Sequence, residues 1–390
     1  MVVLNIFTGD IKILEREIED LLKLIENTNT KSLSAYQIAE VMIFFYELLS
    51  KKETDYFGTL LRGDYEEILI KGRRMENRKT QNLIATRGEH EQLLTSLNRF
   101  FDTIDRFKIT EEKQENSPNE KEMYEIISDF FKSRNKNAKH LLDYLIKEKR
   151  IFKIPEKEEL EKAYNLRNLF QNNFYIFLKS GGNMVTMMTS IVHEIGHTMD
   201  EVQLLYLGKR KECNYYDRKS SLIEVISTMY EKEFLDFLLE ENIDRKYVEQ
   251  EIEEYYVSFQ SYSEQTELLF YLPDEWLRRD RYKGLAKQDF ISYLEESYPI
   301  IVEQEVIASP SDMDLSNQLS YCYGFAISTY FSYLRRHDYS RYQENFHNFL
   351  KLRAGYFPSD FFGKIGTTPQ ELSNIVGEEY EKFSSKRMVK

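Results

Sequence analysis

His193-Glu194-Ile195-Gly196-His197 sets two imidazoles four residues apart, with a carboxylate beside the first. On an α-helix, positions i and i+4 project from one face one turn apart, so two neutral imidazoles there can grip one divalent ion. Glu194 points about 100° around such a helix from His193 and is badly placed to be a ligand as well. It is suited to act as general base toward a water on that ion, whose pKa the metal brings down to about 7. The chain has only 6 His, so their pairing in this pattern is informative. The chemistry predicted is zinc-assisted hydrolysis of an amide without a covalent intermediate.

A catalytic zinc takes three protein ligands and leaves a position for water. A third His in a longer version of the motif would fall at 203, with Gly at 200. The chain has Gln203 and Asp200 there, which excludes that arrangement. The better candidate is Glu224, in Ser221-Leu222-Ile223-Glu224-Val225-Ile226-Ser227-Thr228, far enough along for a loop and a second packed helix. Ser227, Thr228 and Glu231 share its helix face and can orient the ligands by hydrogen bonds. Two alternatives stay open. Ser221 and Glu224 also fit a capping box at a helix start, and Asp200 is a rival third ligand.

Helices must carry these groups. Low Gly and Pro contents, 15 and 7 in 390 residues, favour long helices over turn-rich β structure. Apolar residues recur at helical spacing over Leu14–Ile25 and Ile38–Leu49, and helices are predicted around 56–71, 79–107, 119–133 and 137–149. Residues 111–122 read as an exposed charged loop. A further helix is expected over about 156–171. Phe174-Tyr175-Ile176-Phe177-Leu178 then reads as a short strand ending at Gly181-Gly182. The motif helix follows, its stripe of Met184, Met188, Ile191, Val192, Ile195, Met199 and Val202 predicting burial. Gly196 inside it costs about 1 kcal/mol relative to Ala and implies a close approach by another segment. After a loop over 207–216, a second helix is expected from near Asp217 past Leu239. Helices around 244–271, 285–297 and 315–335 and a helical C-terminus over 340–386 complete the reading.

Composition narrows the class. Hydrophobic residues at 42% and charged residues at 31% describe a globular protein, and a net charge of −13 argues against a nucleic-acid partner. No apolar run reaches the ~18 residues of a membrane span, and Met1–Glu15 lacks the features of a secretion signal. With Cys213 and Cys322 as the only cysteines, a cytoplasmic location is expected. Cys322 reads as a small core residue and not as a nucleophile.

His193-Glu194-Ile195-Gly196-His197-Thr198, followed by Glu224-Val225-Ile226-Ser227-Thr228-Met229-Tyr230-Glu231, resembles the oligoendopeptidase F and thimet-type oligopeptidase family of zinc metallopeptidases. The likeness is sharpest over residues 174–232 and weaker over 315–377. It implies one Zn2+ per chain on His193, His197 and Glu224, with Glu194 as base. It implies that Phe174–Gly182 is the strand and glycine loop beside a bound peptide, with Gly181 and Gly182 letting the substrate backbone approach; an ordinary turn reads equally well there. Tyr321-Cys322-Tyr323-Gly324-Phe325-Ala326 is similar to the family's late helix, whose tyrosines stabilise the tetrahedral intermediate. Tyr323 is the first candidate, with Tyr321 and Tyr330 behind it; on an amphipathic helix each reads also as core. The family carries a His about nine residues before this tyrosine, whereas Asp312-Met313-Asp314-Leu315-Ser316 has none, which puts substrate clamping in question.

The fold expected is mainly α, a multi-helix zinc peptidase with a small β-sheet beside the active-site helix and a cleft between helical lobes. Residues 1–150 are expected to form an N-terminal helical region (lobe or lid), and 151–390 the catalytic region. The function that the resemblance implies is hydrolysis of short peptides, and no nucleic-acid or membrane partner is expected. Two alternatives remain: a zinc peptidase dedicated to one protein or modified peptide, and a non-catalytic helical binding protein that retains the motif.

Overall fold

The computed structural model describes residues 78, 81–101, 120–154, 163–168, 173–179, 183–207, 222–271 and 315–388. The helices expected over 14–25, 38–49, 56–71 and 285–297, the loops over 111–119 and 208–216, and Gly181 and Gly182 lie outside the described residues.

Among the described residues the chain is mainly α-helical with one small sheet. In order it forms α1 (Arg87–Phe101), α2 (Glu120–Arg134), α3 (Lys136–Lys147), β1 (Ile151–Ile154), β2 (Ala163–Asn168), β3 (Asn173–Lys179), α4 (Met184–Tyr206), α5 (Glu224–Glu240), α6 (Arg245–Tyr271), α7 (Leu315–His337), α8 (Tyr339–Leu352), α9 (Phe361–Lys364) and α10 (Pro369–Met388). Side-chain caps start several of them. Asn135 Oδ1 accepts from the Asn137 and Ala138 amides at α3, and Asn183 Oδ1 accepts from the Thr186 amide at the head of α4.

The sheet corrects one expectation. Where a helix was expected over 156–171, residues 163–168 form β2, paired antiparallel to β3, with β1 parallel on the other side in the order β1-β3-β2. Tyr164 and Leu166 alternate with Asn165 and Arg167, a period of two that suits a strand, and the ladder to β3 satisfies its backbone. β3 is buried on both faces. Ile176 and Leu178 join the main core with Ile151, while Phe177 stacks on Phe152 at 5.1 Å on the other face.

The sheet, α2 and α3 pack against α4, and α4 packs against α5. Helix α5 is in turn covered by α6 and α7, so the first residues of α5, Glu224 to Tyr230, are all buried. Two glycines make this sandwich possible. A Cβ on Gly196 would stand 2.6 Å from Ser227 Cα, and one on Gly324 would stand 2.8 Å from Glu224 Cβ. α4 and α7 therefore press on α5 from two sides at the turn that carries Glu224.

The described residues before 150 share this core. Leu93, Leu94, Leu97 and Phe101 of α1 belong to the same apolar cluster as α4 and α5, and α1 packs against α6 and α10. The Glu89 carboxylate accepts the Asp360 and Phe361 amides at the head of α9, tying α1 to the C-terminal helices.

Candidate metal centre

α4 presents His193 and His197 on one face, with ring centroids 4.8 Å apart and planes at 79°. α5 begins at Glu224, not near Asp217: residues 222 and 223 are non-helical, and Leu222 and Ile223 are buried as the chain enters the helix. This start puts the Glu224 side chain in the first turn, directed at the motif. Its Oε2 lies 3.4 Å from Nε2 of His193 and 3.2 Å from Nε2 of His197. One donor atom from each of the three residues falls within 4.8 Å of the others.

That spacing suits a metal. Four ligands at bond lengths of about 2.0–2.1 Å around a tetrahedral zinc stand about 3.3 Å apart. The two carboxylate–imidazole separations, 3.4 and 3.2 Å, bracket that value, and the donor set of two imidazoles and one carboxylate is one that zinc accepts. The imidazoles keep 18% and 22% exposure while the Glu224 side chain keeps 6%, so the histidine side of the cluster remains open to a ligand from solution.

Hydrogen bonds fix the parts. Ser227 Oγ donates to Glu224 Oε2 at 3.0 Å and to the Glu224 carbonyl at 2.9 Å. His193 Nδ1 lies 2.8 Å from Glu231 Oε2, and Thr228 packs beneath Gly324. Burial by itself lowers the pKa of both imidazoles. Contacts with Glu224, and for His193 with Glu231 also, outweigh burial and raise both, His193 well above the ordinary 6.5. Burial pushes the Glu224 pKa up, but the two imidazoles overcome it and hold the carboxyl well below the usual range.

The remaining predicted residues fall in different places. Glu194 is buried beside the two histidines on α4. Asp200, the rival ligand, is committed to an ion pair with Arg353, whose guanidinium also donates to the Asp200 carbonyl at 3.2 Å. Tyr321 is half-buried and stacks on Tyr262 of α6, centroids 4.6 Å apart. Tyr323 is fully buried among Phe357, Phe361 and Phe362, and its hydroxyl lies 2.7 Å from His90 Nδ1. The Tyr330 hydroxyl donates to the Gly366 carbonyl and accepts from Asn345. Cys322 is buried, as expected of a core residue.

His90 and Arg353 were not singled out from the sequence. His90 carried a usable signal, since it shares an apolar stripe with Leu93, Leu94, Leu97 and Phe101, the mark of a buried histidine. Burial drops its pKa to about 3, and it stays neutral between Tyr323 and Thr86. Arg353 carried no local signal, because its partner is 153 positions away.

No family model and no curated protein matches the chain. The chain is similar to three solved structures, each at low identity. Pz peptidase A with an inhibitor is 11% identical over 94% of this chain and 71% of that one, with a TM-score of 0.46. A structure assigned to oligoendopeptidase F from Bacillus anthracis str. Ames is 11% identical over 91% and 68%, with a TM-score of 0.47. One assigned as a peptidase from Chlamydophila abortus is 14% identical over 95% and 63%, with a TM-score of 0.43. Among the described residues, no helix is long and apolar enough to cross a membrane.

Proposed function

We propose that this protein is a zinc-dependent endopeptidase that cleaves peptide bonds in short peptides. The observation that carries the reading is the convergence of two imidazole Nε2 atoms on one carboxylate oxygen, at the spacing of tetrahedral zinc ligands. His193, His197 and Glu224 would hold one ion per chain. When bound, zinc supplies Lewis-acid polarisation of a carbonyl and brings the pKa of water toward neutrality.

The chain's own groups do the rest. Glu194, one position past His193, takes a proton from the attacking water and passes it to the leaving amine. Tyr321 is the phenol assigned in this proposal to hydrogen-bond the developing oxyanion. It precedes by three residues the Gly324 that meets Glu224, so the two share a helix face. Tyr323 lies about 200° around α7 from Tyr321, and its hydroxyl serves His90 instead. β3 is paired on both sides, by β1 and β2, so a substrate backbone cannot add to it as a further strand.

The test is cleavage of a quenched-fluorescent peptide library by wild type, chelator-treated protein and Glu194→Gln. Activity restored by zinc and reduced about 10²–10⁴-fold in Glu194→Gln is expected. Full activity in the presence of chelator would refute the reading.

A further inference from the structure

A line of hydrogen bonds runs from α7 into the start of α1. The buried Tyr323 hydroxyl lies 2.7 Å from His90 Nδ1, and His90 Nε2 lies 2.9 Å from Thr86 Oγ1. Thr86 stands in the turn just before α1, and its hydroxyl donates to the Asn82 carbonyl at 2.9 Å. Asn82 in turn donates to the Phe357 carbonyl at 3.1 Å, and the Phe357 ring lies 4.5 Å from that of His90. The peptide chemistry described above makes no use of this line.

Its protons have one consistent order. A hydroxyl carries a single proton, and that of Thr86 goes to Asn82, so Thr86 Oγ1 accepts from His90 Nε2–H. The imidazole is neutral, burial having dropped its pKa to about 3, so Nδ1 carries the lone pair and accepts from Tyr323. The reverse order would turn the Tyr323 proton toward Phe357, Phe361 and Phe362, whose rings offer no lone pair.

We propose that His90, as the Nε2–H tautomer, is a positioning residue that sets the rotation of α7 about its own axis. Tyr323 lies about 200° from Tyr321 and about 100° from Gly324 around that helix, so pinning its hydroxyl fixes where both of them point. Side-chain tips lie about 5–6 Å from a helix axis, so a turn of about 20° carries them about 2 Å. A misplacement of about 1 Å can cost about 100-fold in rate. Ring packing tolerates such a turn better than a buried hydrogen bond does, because the bond weakens steeply with angle and water cannot replace it. His90 acts through Tyr323 and not on the reacting atoms. The inference rests on reading Tyr321 as the oxyanion phenol of a zinc peptidase.

The first test is the tautomer. With 6 His in the chain, metal-free protein labelled with 15N in its imidazoles gives a spectrum in which His90→Gln identifies the His90 signals. An Nε2–H pattern is expected, and an Nδ1–H pattern would overturn the assignment. The second test is kcat and KM of the zinc-loaded protein on a peptide that it cleaves, with thermal midpoints reporting folding. Tyr323→Phe and His90→Leu are each expected to lower kcat about 10–100-fold, with KM within about twofold of wild type. His90→Gln, whose amide can both accept from Tyr323 and donate to Thr86, is expected to recover much of that loss. In a Tyr321→Phe background, Tyr323→Phe should add nothing further. Wild-type kcat in a folded Tyr323→Phe would overturn the proposal, and so would independent effects of the two tyrosine substitutions. If His90→Leu does not fold, Tyr323→Phe decides alone. Wild-type kcat in Tyr321→Phe would refute the oxyanion assignment, and a wild type that binds no zinc would refute the peptidase reading; either result takes this proposal with it.

Discussion

At the scale of single residues, the account turns on one carboxylate shared by two imidazoles. In the metal-free protein, both histidines have raised pKa values, so their contribution to stability is complete below about 6.5, the unfolded value. It is lost as pH climbs through the raised values. Glu224 has a depressed pKa, so its contribution is present above the unfolded carboxyl value of about 4.3 and lost as pH falls. Metal-free protein should therefore melt at lower temperature at about pH 9 than at about pH 6, measured by scanning calorimetry. Zinc affinity should move the opposite way, because binding must displace those protons. A metal-free midpoint that rises from pH 6 to 9 would count against the His–Glu contacts. The pairing of His193 with His197 was legible in the sequence because helix geometry fixes which neighbours share a face, whereas Glu224 stood beside Asp200 as one of two candidates until the second helix was seen to pack there. The contact of the Tyr323 hydroxyl with His90 was not, since the two lie 233 positions apart.

At the scale of elements, α5 is positioned by what α4 and α7 lack. Adding a methyl at Gly196 drives it into the backbone of Ser227, which cannot swing aside as a side chain could. Gly196→Ala is expected to lose about 1–3 kcal/mol in urea unfolding despite its better helix propensity. An unchanged or raised stability would contradict the close approach of α4 and α5. The need for a nearby segment could be read from a glycine inside a buried helix; which segment it is could not. β2 escaped the sequence reading for a related reason. Short alternations such as Ala163–Asn168 compete with helical spacing, and only pairing with β3 decides between them.

At the scale of the whole molecule, long-range polar ties hold the motif helix to distant parts of the chain. Arg353, just beyond α8, forms a buried ion pair with Asp200, one turn past His197. Arg353→Ala leaves that carboxylate buried without its partner and should destabilise the protein by about 3–5 kcal/mol in denaturant unfolding, whereas a cost below about 1 kcal/mol would show the pair to be peripheral. The mainly helical fold was legible from spacing and composition. The seating of α1 on α6 and α10 was not, because its buried face announces only that a partner exists. The central claim is the metal itself, and metal content of the purified protein tests it most directly, with wild type set beside His193→Ala and Glu224→Ala. The account predicts about one zinc per chain in wild type and none retained in either variant after dialysis. A wild type that holds no zinc even after reconstitution, or a Glu224→Ala that holds it as well as wild type, would contradict it.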